Sequence, residues 1–325
     1  MTQPHLIFFG SDQYSAIVLD ILLESKIYHL ESVVTDHHHD PTPVEKLAVK
    51  HKLKVSYYPS NSDEMNNFID LLKSNISNLE SDQSPIGLCA SFDHLIPAEI
   101  IEKFHGNLYN LHPSLLPQYR NVSPVQYAIA LGDKETGISL FRITTGIDNG
   151  EIIAQVSEPI HADDTTPTLT SRLFAKGAKL LQGSVLCNPS VSTPDNKGRI
   201  LVEPTLPLIF TRRLTRESGF VEWPTLHKLL TNQPIEPSST TNELLRLRLN
   251  KDKTHNFKIV NCKLIIGDLL RSLTPWPSVW SLVPTKKGDL RLRLVEASAK
   301  TGSSSILIAG KPSPISLSDF TKYYL

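Results

Sequence analysis

This 325-residue chain has little cysteine, with Cys89, Cys187 and Cys262 far apart in sequence. They make no C-x-x-C pair and no even-numbered set, which excludes a disulfide scaffold and suits a reducing compartment. No apolar run reaches the length needed to span a bilayer. A first strand candidate, His5 to Gly10, begins so near the initiator that no signal peptide is expected, and no Arg-rich transit segment is visible. There is no G-x-G-x-x-G and no Walker loop, so nothing supports a dinucleotide or triphosphate site. Net charge is also missing: 33 Lys+Arg stand against 33 Asp+Glu.

That balance conceals an asymmetry. Residues 1–200 hold 15 basic and 23 acidic side chains, a net of −8, whereas residues 201–325 hold 18 and 10, a net of +8. A basic second half suits a polyanionic partner. With 40% hydrophobic residues, the chain can bury a sizeable core, and its length suits two domains.

Leu6-Ile7-Phe8-Phe9-Gly10 reads as a buried strand, and Ser11-Asp12-Gln13 as the cap of a helix over Ser15–Ser25. Ser32–Thr35 follows as a second strand, so the opening is β-α-β and predicts a parallel sheet. A short helix over Pro43–His51 and strands at Lys54–Tyr58 and Ile86–Phe92 come next, with one helical stretch, Met65–Lys73, between the two strands. Asp36-His37-His38-His39-Asp40 reads as a solvated loop. Its adjacent side chains cannot all converge on one ion, and no second cluster completes four ligands. A helix beginning at Thr165–Thr168 is expected to run to about Leu186. Beyond residue 205 the chain looks β-rich, with strands expected at Leu208–Leu214, Asn256–Ile266, Leu290–Glu296 and Ser305–Ala309.

The densest chemistry lies in Asn107–Gly150. Asn110, His112 and Ser114 alternate, so on an extended backbone they share one side. Thr136–Ile143 alternates as a strand, and Asp148 follows it just before the turn-forming pair Asn149-Gly150. An amide that never ionises, an imidazole that titrates near neutrality and a carboxylate, all at strand ends, suit acyl transfer. Taken whole, N-L-H-P-S-L-L-P-x-Y-R, then P-x-x-x-A-I-x-x-G-D-x-x-T-G-I-S, then D-N-G, resembles the signature of the 10-formyltetrahydrofolate-dependent formyltransferases. FFGSDQYSAIVLDILLES and ASFDHLIPAEII resemble that family's opening strand–loop–helix and its pterin-contacting passage. RRLTR with GFVEW resembles its second-domain entry, and RSLTPWP its arginine and proline-tryptophan-proline passage.

The resemblance implies an open, mostly parallel Rossmann-like α/β sheet followed by a small OB-like β-barrel that holds tRNA. It places a catalytic domain at 1–188, a linker at 189–205 and a basic domain at 206–325, with an insertion around 224–270. Within the insertion, Thr241–Asn250 with Lys251 and Lys253 has no counterpart. It reads as an extra surface helix or hairpin, whose Arg246, Arg248, Lys251 and Lys253 rival the other basic residues for nucleic acid. By matching positions, Asn110, His112 and Asp148 are the catalytic trio, and Ser114, Leu115, Leu116 and Pro117 line the folate site. Arg212, Arg213, Arg216 and Arg271 are the expected tRNA contacts.

The implied activity is transfer of formyl from 10-formyltetrahydrofolate to the methionine amino group of initiator Met-tRNA, without a metal. Asn110 and His112 would donate to the oxygen that gains charge while Asp148 orients the imidazole. A small-molecule formyltransferase, such as one acting on glycinamide ribonucleotide, shares the same signature. So does a formyltetrahydrofolate hydrolase, and a catalytically silent RNA-binding relative is the reading from another class. One departure matters: Asn121 stands where the family usually has glycine after Tyr119-Arg120, and asparagine tolerates left-handed backbone better than most residues. The short His/Asp loop at 36–40 and the insertion resemble organellar members, so a monomer in the mitochondrial matrix is expected, with the cytoplasm as the alternative.

Overall fold

A computed structural model describes residues 3–79, 85–182, 208–254, 261–285, 288–297 and 304–325. The linker expected at 189–205 and Cys187 lie outside the described residues. The chain divides into two units. The first comprises Met1–Asn121, Thr136–Pro159 and Thr170–Phe210, and the second Val122–Glu135, Ile160–Leu169 and Thr211–Leu325.

The first part of the chain runs β1 (His5–Phe9), α1 (Gln13–Ser25), β2 (His29–Asp36), α2 (Pro43–Lys50), β3 (Lys54–Tyr58), α3 (Ser62–Ser77), β4 (Ile86–Ala90), α4 (Ala98–Lys103), β5 (Leu108–His112), α5 (Pro124–Ala130), β6 (Glu135–Arg142), β7 (Ile152–Pro159) and α6 (Thr166–Gln182). The seven strands form one sheet in the order β3-β2-β1-β4-β5-β6-β7. Strands β1 to β5 are parallel, and β6 turns antiparallel to β5, pairing His112 with Ser139. β1 is buried almost throughout, as a parallel strand covered on both faces must be. Its Ile7 and Phe9 pack with Phe68, Leu72 and Ile76 of α3 and with Ile100 and Phe104 around α4.

The strand order reverses between β1 and β4, the place where open α/β sheets form a crevice beyond their carboxyl ends. That crevice is tied together by polar residues. Asp12 caps α1 through Tyr14 N (2.9 Å) and Ser15 N (2.8 Å), and its other oxygen accepts from Ser91 Oγ at 2.7 Å. Ser15 Oγ donates to Ala90 O at 2.7 Å. Gly10 permits this closeness, since a Cβ there would lie 2.6 Å from Ser15 Cβ and 2.9 Å from Ala90 O.

The second part contains α7 (Trp223–Leu230), α8 (Glu243–Thr254), α9 (Cys262–Ser272), β8 (Trp280–Thr285), β9 (Gly288–Ala297), β10 (Ser304–Ile308), β11 (Ile315–Ser316) and α10 (Leu317–Tyr324). Its strands form a four-stranded sheet in the order β11-β10-β9-β8, antiparallel at every pairing. Two of the four strand expectations are met by β9 and β10, and two are corrected. The stretch expected as a strand to Ile266 is, in its described residues, the start of helix α9. Asn261 caps it by accepting from Leu264 N, and Cys262, Ile265, Ile266, Leu269 and Leu270 bury one helical face. Leu208–Leu214 forms no ladder beyond an isolated bridge between Phe210 and Arg120.

The 241–250 segment is indeed helical as α8, but it is not a surface addition. Leu244, Leu245, Arg248 and Leu249 are buried. Arg248 binds Asp252 (3.0 Å) and Asp268 (2.9 Å), and Lys251 pairs with Asp133. Neither side chain is available to a polyanion as expected. Arg246 is exposed, and the side chain of Lys253 lies outside the described ones.

Candidate active site

The site assembles at the carboxyl end of β5. Asn110 and His112 lie two residues apart on that strand and therefore on one side of it. Asn110 is half-buried, and its side-chain amide makes no hydrogen bond among the described residues. His112 is buried and fully engaged. Its Nε2 lies 2.9 Å from Tyr119 O, and its Nδ1 lies 3.5 Å from Asp148 Oδ2. A carbonyl can only accept, so Nε2 carries the hydrogen, and in the neutral ring Nδ1 is then the basic atom. Burial drives the His112 pKa below its ordinary value, while Asp148 and the Tyr119 carbonyl oppose that shift.

Both partners are delivered by strained backbone. Tyr119, Asn121 and Ser123 adopt positive φ of 57°, 77° and 70°, and Asp148 one of 45°. The turn aims Tyr119 O at the imidazole and Asn121 N–H at Asp148 Oδ2, 2.8 Å away. Left-handed backbone costs ordinary residues about 1–2 kcal/mol each and tends to gather at functional sites. The asparagine that replaces the family's glycine does adopt the left-handed conformation. Gly150 closes the Asp148 loop onto β6, where a Cβ would fall 1.6 Å from Arg142 O.

The Ser114–Pro117 loop is fixed from below. Ser139 Oγ donates to Ser114 O (2.6 Å) and accepts from Leu116 N (3.0 Å) and Gln155 Nε2 (2.7 Å). Gln155 Nε2 also donates to Leu116 O at 2.9 Å. Ser114 and Leu116 side chains are buried, and Ser114 Oγ donates to Gln118 O at 2.6 Å, so these two shape the loop from inside. Leu115 and Pro117 are partly exposed beside them.

A family model described as formyl transferase matches residues 6–185, more than half of the chain. The chain belongs to the formyl transferase family. It is a formyl-transferring enzyme, and the family's formyl donor is 10-formyltetrahydrofolate. The methionyl-tRNA formyltransferase of Enterococcus faecalis (strain ATCC 700802 / V583) is 30% identical over 240 residues, covering 70% of this chain and 71% of its own length. That of Streptococcus sanguinis (strain SK36) is 27% identical over 311 residues, covering 91% of each. Among solved structures, WlaRD, a sugar 3N-formyl transferase, aligns with a TM-score of 0.52 at 18% identity, over 91% of this chain and 88% of that one. This last likeness concerns the fold alone.

Family membership does not by itself place every residue named from sequence. The structure brings His112 and Asp148 together with the Tyr119 carbonyl and the Asn121 N–H, which sequence reasoning did not name, and places Asn110 two residues before His112 on the same side of β5. Backbone groups carry no sequence signal of their own. Of the four arginines, Arg212, Arg213 and Arg216 are exposed. Arg271 differs: its guanidinium donates to Asp164 O and to Asp268 Oδ1, both at 2.5 Å, so it is committed to holding its own unit together. In the 36–40 loop, His38 lies 4.0 Å from Asp36, while His94 reaches Asp36 at 2.5 Å. Among the described residues, the one group spaced to share an ion is His5, His29 and Glu31. It lies at the amino ends of β1 and β2, away from the end that carries the site, and both rings face the same Glu31 oxygen.

Proposed function

We propose that this chain formylates the methionine amino group of initiator Met-tRNA, with Asn110, His112 and Asp148 in named roles. The carrying observation is a buried imidazole fixed between Tyr119 O and Asp148, two residues along β5 from an amide that makes no hydrogen bond among the described residues. The folate, when bound, supplies an electrophilic formyl carbon. Asn110 offers its free N–H to the oxygen that gains negative charge, and it needs to break nothing to do so. His112 keeps its Nε2 hydrogen on Tyr119 O, so we assign it to proton handling rather than to that oxygen. Nδ1 would accept the proton the amine releases as its bond to the formyl carbon forms, and the Asp148 carboxylate would stabilise the imidazolium. That proton would pass on to the folate N10 as its bond to the formyl carbon breaks. Ser114–Pro117, clamped by Ser139 and Gln155, forms a rigid wall for the folate. The same clamped, partly apolar loop fits a flat heterocycle better than a flexible substrate.

For the acceptor, support comes from the relatives' printed names and from the +8 charge of residues 201–325. The deciding experiment is formylation of charged initiator tRNA by purified protein. Formylation of glycinamide ribonucleotide instead, or hydrolysis of the donor without an acceptor, would replace this reading. Binding to tRNA should also weaken steeply with salt, because each neutralised phosphate releases condensed counterion. Replacing Arg212, Arg213 and Arg216 together by alanine is expected to flatten the plot of log affinity against log salt by roughly 1 to 3 units. An unchanged slope would show that recognition lies elsewhere. We further propose a monomer acting in the mitochondrial matrix, on the short 36–40 loop and the 224–270 segment, which subcellular fractionation tests. No helix among the described residues is long and apolar enough to cross a membrane.

A further inference from the structure

We infer that His5, His29 and Glu31, gathered at the amino ends of β1 and β2, form a binding site for a divalent transition ion of the Zn²⁺ type, separate from the formyl-transfer site. The parallel ladder pairs His5 with His29, so the two imidazoles stand side by side with ring centroids 5.3 Å apart. His29 N–H donates to Pro4 O at 2.9 Å and fixes that first rung. Immediately afterwards the register slips by one. Leu6 pairs with Leu30 and Ile7 with Ser32, which leaves Glu31 as the extra residue of a bulge. A regular ladder would set Glu31 opposite the fully buried Ile7, where a carboxylate is costly. The bulge re-aims it, and the carboxylate faces both rings.

Three donor atoms converge there. Glu31 Oε1 meets His5 Nδ1 and lies 3.5 Å from His29 Nε2, and one ligand atom from each residue lies within 4.8 Å of the other two. Ligands held ~2.0–2.1 Å from a tetrahedral zinc stand roughly 3.4 Å from one another, so the Glu31–His29 spacing already matches one edge of such a site. The other edges need only side-chain rotation, which is open to His5 and His29, whose side chains are 36% and 59% exposed. No lysine or arginine answers Glu31 among the described residues, whereas Glu158 in the same unit is held by Arg172 and Lys176.

Two imidazoles and one carboxylate suit zinc-like ions, while Mg²⁺ and Ca²⁺ favour all-oxygen sets. Three protein ligands leave a fourth position to water. The outer nitrogens, His5 Nε2 and His29 Nδ1, make no hydrogen bond among the described residues, so water completes their outer shell. The site lies at the opposite end of the parallel strands from His112, so the ion would join β1 to β2 without entering the reaction. The 36–40 loop is richer in histidine, yet its contacts stop at pairs, His38 with Asp36 (4.0 Å) and His39 with Asp40 (3.6 Å). Neither His5 nor His29 stands out in the sequence, because only the ladder brings the two positions together.

Calorimetric titration of the full chain with Zn²⁺, and with Mg²⁺ as the control, tests this. The wild type is compared with His29→Ala, with Glu31→Gln and with the loop variant His37→Ala/His38→Ala/His39→Ala. Wild type and the loop variant should bind Zn²⁺ with the same affinity and ignore Mg²⁺. His29→Ala should weaken that binding by about 100-fold or more and Glu31→Gln by about tenfold or more, since loss of an outer-shell partner alone costs roughly 10–100-fold. Zn²⁺ should also raise the melting temperature of the wild type and not that of His29→Ala, because an ion that binds only the folded chain stabilises it. Circular dichroism checks that the variants are folded, which the exposed His29 and the isosteric glutamine permit. No Zn²⁺ binding by the wild type, or unchanged binding in a folded His29→Ala, overturns the inference, as does loss of binding in the loop variant alone. Formyl transfer should persist after chelation of the ion, and its loss would overturn the separation from the catalytic site.

Discussion

Replacing Asp148 by asparagine is expected to lower turnover by at least about 100-fold while the fold and folate affinity stay nearly unchanged. Asparagine preserves the shape of the side chain, and its oxygen can still accept from Asn121 N–H at the 2.8 Å position now held by Oδ2. What disappears is the negative charge 3.5 Å from His112 Nδ1. His112→Ala should cost as much, but it also strips Tyr119 O of its donor, so Asp148→Asn is the cleaner probe. A near-normal rate in either variant removes the assignment.

The pH profile gives an independent readout. Burial already holds His112 below its ordinary pKa of 6.5, so the enzyme's acid limb should fall below that value. Asp148 works against that depression, and its loss should move the limb further towards acid. A limb that does not move would mean the carboxylate does not face the titrating group. Stability follows the same linkage. The unfolded chain protonates this histidine at higher pH than the folded one does, so stability decreases as pH falls from 6.5 to the folded value.

Arg248→Met should destabilise the chain by about 3–5 kcal/mol, because breaking a buried ion pair leaves an uncompensated charge. The Arg248 side chain is 8% exposed and lies between Asp252 and Asp268. Asp268 keeps Arg271 at 2.5 Å, so the loss should lie near the lower figure. Arg246→Ala is the control on the same helix. It removes the same charge from an exposed position and should change stability by no more than about 0.5 kcal/mol. Denaturant titration of both variants decides the matter. Equal stability would mean that Arg248 is a surface charge after all and returns it to the candidates for tRNA contact.

Much of this protein is determined by its sequence. The β-α-β opening, the buried strands and the Asp12 cap follow from apolar period and capping chemistry, which act over a few residues. The 107–150 segment likewise identifies the family and brings forward Asn110, His112 and Asp148, because its signature is contiguous. Asparagine's tolerance of left-handed backbone anticipates Asn121 at φ 77°.

Tertiary structure decided where residues far apart in sequence meet. C-K-L-I-I imitates a strand when the window stops at residue 266, and only the buried face running on to Leu270 makes its helical period plain. Arg248 looks like a free basic residue until Asp268 arrives from 20 positions away, and Arg271 until the Asp164 backbone carbonyl arrives from another segment. The imidazole's proton is fixed by a backbone carbonyl, which every residue has and no sequence pattern marks. Charge, burial and tautomer depend on partners across the fold, and those are set only when the strands have paired.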